Sequence, residues 1–425
     1  MALPVVDYNK KQYSNHKQRA EIRSSGIGAS STRTLRHGSI RMDRTNNPKV
    51  GLVLAGGGAR AAYQVGVLKA VAEMLPPGSP NPFPVLCGSS AGAINATTLA
   101  IYATRFHEGV RRLNYVWRNF HVHQVFRTDP LGVYANALRW FAAITFGGLG
   151  RRNPLALLDR MPLRSLLAQT IPCEKIQESI NAGALHALSV TASGYESGQS
   201  VTFFQGVASL TPWRRARRIG SASNINIDHL MASSAIPLLF SAEKINREYF
   251  GDGSMRQMAP ISPALHLGAD RVVVIGVRQE DNSTSFRPES SEYPSLAQIA
   301  GHVLNSIFLD GLEADIERLQ RINKTISLIP AHQLHEGGVT LRNVDVLVIS
   351  PSENLEKIAA RHAQQLPWTI RSLLFSLGAF NRQGSNLISY LLFEKPYCRD
   401  LIDLGYKDAM HRKDEILRFL GTPSA

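Results

Sequence analysis

Cysteine is scarce in this chain of 425 residues: only Cys87, Cys173 and Cys398 occur. They are odd in number, far apart and without metal-ligand spacing, so they read as free thiols in a reducing compartment rather than a disulfide framework. No uninterrupted apolar run reaches the roughly 18 residues that a membrane-spanning helix needs. The first residues, Met1-Ala2-Leu3-Pro4-Val5-Val6-Asp7, pass straight into polar sequence without the apolar stretch of a secretory signal. A cytoplasmic protein is the expectation. Acidic residues are also in short supply, 33 against 47 lysines and arginines, which leaves a net charge of +14. Half of that surplus lies in residues 1–49, where ten bases face Asp7, Glu21 and Asp43. With serine, glycine and few large apolar side chains around them, residues 1–48 read as a basic disordered arm. Such an arm suits an anionic membrane surface. Nucleic acid is disfavoured, because no aromatic interleaving or zinc-finger spacing accompanies the charge.

What is present is an alternation of buried strands and helices. Lys49–Ala55 is a buried strand that ends in Gly56-Gly57-Gly58-Ala59-Arg60. A helix follows, with Tyr63, Val67, Val71 and Leu75 recurring every fourth residue and Lys69 set to pair with Glu73. Phe83–Cys87 is a second strand, running into Gly88-Ser89-Ser90-Ala91-Gly92 and a helix that extends to about residue 119. This order implies a parallel sheet with right-handed crossovers, whose ligands gather beyond the C-terminal strand ends. Both glycine-rich turns therefore open on one edge.

Residues 121–170 interrupt the alternation. Leu131, Tyr134, Leu138 and Phe141 form one helical stripe, which suits either a core helix or an interfacial lid. A hairpin is expected from residues 187–192 and 200–204, followed by a second basic cluster, Trp213-Arg214-Arg215-Ala216-Arg217-Arg218. Glu248-Tyr249-Phe250 leads into Gly251-Asp252-Gly253-Ser254, and Arg271–Val277 is another buried strand. Beyond a polar linker, Leu296, Ile299, Val303, Ile307, Leu312, Ile316 and Leu319 mark a long amphipathic helix. Residues 344–349 read as a strand and 353–420 as mostly helical.

Ser90 stands at the centre of G-x-S-x-G, the tight strand-to-helix turn that holds a serine clear of its backbone. The new helix aims its free N–H groups at that point. Three chemistries compete. Gly56–Ala61 fits a dinucleotide fingerprint, but Glu73, the acid nearest the required spacing, falls inside a helix. A Ser-Asp-His triad can be written as Ser90, Asp252 and His266, with His302 and His362 as other candidates. A Ser-Asp dyad needs only Asp252 as base, provided that burial lifts its pKa from near 4. In that case backbone N–H groups at Gly57, Gly58 and Ala59 would cradle the oxyanion, each donor contributing about 2.7–4 kcal/mol in the transition state.

Taken in order and spacing, Gly56-Gly57-Gly58-Ala59-Arg60, Gly88-Ser89-Ser90-Ala91-Gly92 and Asp252-Gly253 resemble the motifs of the patatin-like phospholipase family. Ala232–Pro237 is similar to the family's A-S-x-A-x-P segment, and Asp159–Arg164 and Ser389–Phe393 are similar to segments of bacterial members. The resemblance is strong over residues 50–280 and weak beyond them. It implies a three-layer α/β/α sandwich with a mostly parallel central sheet, plus a helical C-terminal extension.

In domain terms this gives the arm at 1–48, a catalytic domain at 49–280 with the lid-like insertion at 121–170, and a mostly helical region at 281–425. The resemblance also implies a lipid acyl hydrolase acting on phospholipids or other acyl lipids through an acyl-enzyme, with no metal and no cofactor. Carried over, Ser90 is the nucleophile, Asp252 the base, and Gly57, Gly58 and Ala59 the oxyanion hole. Gly56, Arg60, Gly88, Gly92 and Gly253 support them. Ala61 and Ser254 depart from the usual residues of the motifs, and since both are small they are expected to alter packing rather than chemistry. The alternatives are a non-catalytic membrane-associated lipid-binding scaffold, and an acyltransferase or thioesterase that uses the same dyad.

Overall fold

The computed structural model describes residues 48–146, 156–279, 293–330, 342–380 and 385–421, all within one compact unit. Residues 1–47 of the basic arm and 281–292 of the polar linker expected at 281–294 lie outside the described residues.

The first half runs β1 (Val50–Leu54), α1 (Ala62–Met74), β2 (Val85–Ser89), α2 (Ala91–Ile101), α3 (Phe106–Arg118), α4 (Pro130–Thr145), α5 (Met161–Thr170) and α6 (Lys175–Asn181). Next come β3 (Ala187–Gly194), β4 (Ser200–Gly206), β5 (Trp213–Arg215), β6 (Arg218–Ala222), α7 (Ile227–Ser233), β7 (Glu243–Ile245), β8 (Glu248–Asp252), α8 (Ser262–His266) and β9 (Arg271–Ile275). The chain continues through α9 (Leu296–Asn305), α10 (Gly311–Ser327), β10 (Asp345–Ile349), α11 (Leu355–His362) and α12 (Trp368–Ser376). It finishes with α13 (Ser385–Leu391), α14 (Lys395–His411) and α15 (Lys413–Leu420).

The strands join one sheet in the order β10-β9-β1-β2-β3-β4-β6-β5, with β8 on β3 and β7 on β8. From β10 to β3 every pairing is parallel. The expected hairpin is the antiparallel β3–β4 pair. Side chains alternate between two apolar layers, as the period of two along a strand requires. Leu52, Leu54, Leu86, Val273 and Ile275 enter one core, while Val53, Cys87, Val272 and Val274 enter the other. A sheet buried on both faces explains the near-continuous apolar runs. The α/β/α sandwich expected from sequence is present.

Three expectations are refined. The helix opening at Ala91 breaks at Tyr102, so α2 and α3 are separate. The amphipathic stretch from Leu296 is interrupted by a π-helical segment, Ser306–Asp310. Its stripe also splits: Leu312 is buried and Ile307, Ile316 and Leu319 are half-buried, whereas Leu296, Ile299 and Val303 face out. The inward face of α9 is set by Gly301, where a Cβ would come 2.9 Å from the Asn386 Cβ of α13. Residues beyond 280 also contribute β10 to the sheet and lay α14 across α1. That crossing is tight, since a Cβ on Gly66 would lie 2.0 Å from the Ile402 carbonyl oxygen, and one on Gly405 would lie 2.2 Å from that of Tyr63. Among the described residues, no helix is long and apolar enough to cross a membrane.

Candidate active site

One strand edge brings Ser90 and Asp252 together. β2 runs parallel along β3 and ends with Ser89 opposite Thr191. β8 arrives from the other direction, antiparallel, and places Asp252 opposite Ala192, the next position. Two segments far apart in sequence therefore meet end to end on β3.

Ser90 caps α2 with φ 53° and ψ −130°, a left-handed conformation that costs a serine of order 1–3 kcal/mol. It persists because the surroundings hold it. The Ser90 N–H donates to Ser233 Oγ at 2.9 Å, and the Ser233 hydroxyl donates to the Thr191 carbonyl at 2.6 Å. Gly92 is needed for the turn to sit against β1, because a Cβ there would lie 2.3 Å from the Leu54 carbonyl oxygen. Gly88 and Gly253 are likewise buried in close contact with neighbouring backbone.

Asp252 is fully buried. Burial lifts its carboxyl to about 7, against the opposing pull of the nearby Ser90 hydroxyl, the Ser254 N–H and the charge of Arg160. The Ser254 N–H donates to Oδ1 at 2.9 Å, while Oδ2 closes no hydrogen bond among the described residues. The carboxylate thus keeps one oxygen uncommitted beside the serine.

The glycine loop ends in a 3-10 turn, Gly58–Ala61, whose first N–H groups have no partner within the turn. Gly58 has φ 54°, and a Cβ there would lie 2.3 Å from the Tyr390 carbonyl oxygen, so both its conformation and its space demand glycine. Gly56 sits beside Ser254 and Phe308, and Gly57 and Ala59 flank Gly58 in the buried loop.

Arg60 points away from the serine. Buried, it donates to Ser389 Oγ at 2.8 Å and Asn386 Oδ1 at 2.7 Å, and reaches Glu356 Oε1 at 3.3 Å. It pins the loop to α13 and α11.

A mostly apolar cavity of about 840 Å³ opens on Ser90 and Gly58 and is walled by Leu113, Trp117, Phe120 and Leu167. This is within the usual range for small-molecule sites, about 300–1,000 Å³. α5, from the 121–170 stretch, supplies part of the wall. α4 does not have its stripe in the core: Leu131, Leu138 and Phe141 are between 66% and 87% exposed, and Tyr134 is 42% exposed.

The competing chemistries find other places for their residues. Glu73 lies on α1 and meets Lys69 at 3.5 Å. His266 stacks on Trp213 at 4.7 Å, and His362 meets Asp400 at 2.7 Å. His302 is exposed on α9. Among the described residues no histidine hydrogen-bonds Ser90 or Asp252.

Sequence reasoning missed Arg160. It is buried, donates to the Met231 carbonyl and to the Ser241 carbonyl at 2.6 Å, and reaches Glu243 at 3.4 Å. Burial depresses its own pKa to about 10, yet it remains the cation nearest in effect to Asp252. The signal lay in the Asp159–Arg164 segment, whose resemblance was visible but whose partners Met231, Ser241 and Glu243 were not. Ser254 is a tie: its hydroxyl donates to Ser89 Oγ at 3.3 Å, linking the aspartate turn to the elbow strand.

No curated protein matches the chain. Among solved structures it is similar to VipD from Legionella pneumophila, at 14% identity and a TM-score of 0.32, over 87% of this chain and 67% of that one. That likeness is too distant to carry an argument. The family model described as "Patatin-like phospholipase" matches residues 52–265, a stretch that takes in the glycine loop, the serine elbow and the aspartate turn. On that match over half its length, the chain belongs to the patatin-like phospholipase family.

Proposed function

We propose that the protein hydrolyses fatty-acyl esters of phospholipids or related lipids through a Ser90–Asp252 dyad. Membership of the patatin-like phospholipase family supports lipid acyl hydrolysis. The observation that carries the finer reading is the meeting of Ser90 and a buried Asp252 on one edge of β3, with Ser90 lining a mostly apolar cavity. The acyl chain lies along Leu113, Trp117 and Phe120, each buried methylene contributing about 0.8 kcal/mol. Ser90 Oγ attacks the ester carbonyl while Asp252 Oδ2 takes its proton. Negative charge on the carbonyl oxygen is met by N–H groups of Gly57, Gly58 and Ala59 and by the start of α2. Collapse breaks the C–O bond, and Asp252 returns the proton to the leaving alcohol. Water then deacylates Ser90 with Asp252 again as base. A carboxyl near pKa 7 suits both steps, being half ionised at neutral pH.

The outward face of α4 is read as the surface that meets the lipid. α4 carries no aspartate or glutamate, and Arg139 is its one cation. α12, equally free of acids, adjoins it through Tyr134, whose hydroxyl meets Ser372 Oγ at 2.6 Å, and adds exposed Trp368 and Phe375. An apolar platform with arginines and no carboxylates suits an anionic lipid surface.

Labelling by a fluorophosphonate, together with hydrolysis of defined phospholipids, tests the dyad. Wild-type protein should label and release fatty acid, and Ser90→Ala should do neither. Turnover that survives in Ser90→Ala would reject the mechanism.

A further inference from the structure

A second pocket, of about 410 Å³, lies away from the acyl cavity and is lined by Ser197, Gly198, Gln199 and four arginines: Arg214, Arg215, Arg217 and Arg256. The arginines come from two separate segments. Arg214 and Arg215 belong to β5, and Arg217 to the turn that joins it to β6. Arg256 closes the turn that follows Asp252, and it arches over the β3–β4 connection, where a Cβ on Gly198 would lie 3.8 Å from its guanidinium.

None of the four pairs with a carboxylate among the described residues. The nearby acids are turned to backbone instead, though they keep their charge: Glu196 accepts from the Tyr249 N–H at 3.0 Å and Glu248 from the Ser197 N–H at 2.7 Å. All four are exposed, so solvent screens their mutual repulsion, but around one hollow they give a concentrated positive potential that an anion would meet.

The turn itself adds an independent observation. Arg217 has φ 57°, in a two-residue connection where glycine or asparagine is the ordinary choice. Holding a long side chain in that conformation costs about 1–2 kcal/mol. The Arg217 carbonyl accepts from the Ser200 N–H at 2.9 Å, which fixes the turn against β4. Backbone strain that delivers a fourth cation to a pocket has an explanation if the pocket holds a polyanion.

We propose that this pocket binds a ligand bearing several phosphate groups, through the forked, two-pronged contacts that guanidinium makes with phosphate oxygens. The ligand is either a free polyphosphorylated molecule or the headgroup of a phosphorylated lipid. The inference does not depend on the dyad, because binding is read without turnover.

The test uses the full chain at physiological salt, with two probes and two variants. Inositol hexakisphosphate in calorimetry represents the free source. Phosphatidylcholine vesicles containing phosphatidylinositol bisphosphate represent the lipid source, against vesicles matched in surface charge with phosphatidylserine. Arg217→Gly removes one guanidinium and relaxes the turn, so its thermal stability should equal or exceed wild type; Arg256→Gln removes another. Binding of the free probe that weakens about tenfold or more in both variants supports the pocket and a soluble ligand. Binding only to the bisphosphate vesicles, lost in both variants, supports the pocket and a lipid headgroup. Three results would overturn the proposal: no binding of either probe, equal binding by wild type and variants, or vesicle binding that follows charge alone.

Discussion

The guanidinium of Arg60 stands 4.1 Å over the ring of Tyr390, and the backbone carbonyl of that same tyrosine closes against Gly58. One residue of α13 thus holds both the cation that anchors the glycine loop and the glycine whose N–H is proposed to meet the oxyanion.

Arg60→Ala should lower stability by about 3 kcal/mol, because Ser389 and Asn386 lose a buried donor. Arg60→Lys should recover little, since an ammonium cannot serve Ser389, Asn386 and the Tyr390 ring together. Thermal melts check both. At temperatures where the variants remain folded, kcat should fall more than KM rises, because the loop's position serves the transition state.

Asp252 makes pH the sharpest probe of the dyad. As a base it must be ionised, so kcat/KM on a soluble short-chain ester should rise with pH through a midpoint near 7. The same shift acts on stability in the opposite direction. A carboxyl at about 7 in the folded chain and 3.8 in the unfolded one binds more protons when folded, so its contribution is fully present below pH 3.8 and lost as pH rises to 7. Asp252→Asn should therefore be inactive yet gain on wild type between those pH values, by up to about 4 kcal/mol. Urea denaturation from acid to mildly alkaline pH reads this out; a flat difference would mean that the carboxyl is not shifted.

Ser90 adds a strain test. Both Ser90→Ala and Ser90→Gly should abolish hydrolysis. Only glycine tolerates φ 53° freely, so Ser90→Gly should melt higher than Ser90→Ala, by about 1 kcal/mol in stability. Equal stabilities would show that the turn relaxes when the hydroxyl is removed.

The α4 face separates binding to a lipid surface from chemistry. Leu138→Glu with Phe141→Glu should weaken association with anionic vesicles more than tenfold, given about 1.5–3 kcal/mol for burying each original side chain. Hydrolysis of a soluble ester should stay within twofold, since neither residue lines the acyl cavity. Flotation and ester assays on the same preparation check both.

Much of this was legible in the sequence because the signals were local. The serine elbow, the glycine loop and the Gly-Asp-Gly turn each announce themselves within five residues, and strand alternation announces the sheet. Two kinds of information were not local. Arg60 finds Ser389 across 329 residues and Arg160 finds Ser241 across 81, and no periodicity encodes such partners. The stripes on α4 and α9 showed which residues share a face, but not whether another element covers it. On α4, Leu131, Leu138 and Phe141 stay exposed while Tyr134 meets α12; on α9, Ala297, Gly301 and Leu304 turn inward, while Leu296, Ile299 and Val303 do not.

β3 has a consequence of its own. It acts as a ruler on which the two halves of the proposed dyad are set by adjacent graduations: Thr191 opposite Ser89, the residue before Ser90, and Ala192 opposite Asp252. Sliding β8 by one graduation would put a glycine, Gly251 or Gly253, where the carboxylate belongs and turn Asp252 to the opposite side of the sheet. The acyl-cavity walls, carried by α3 and α5, are not part of that scale. On the proposed mechanism, such a chain could be refitted for new acyl groups by changing its walls while the spacing of Ser90 and Asp252 stays calibrated.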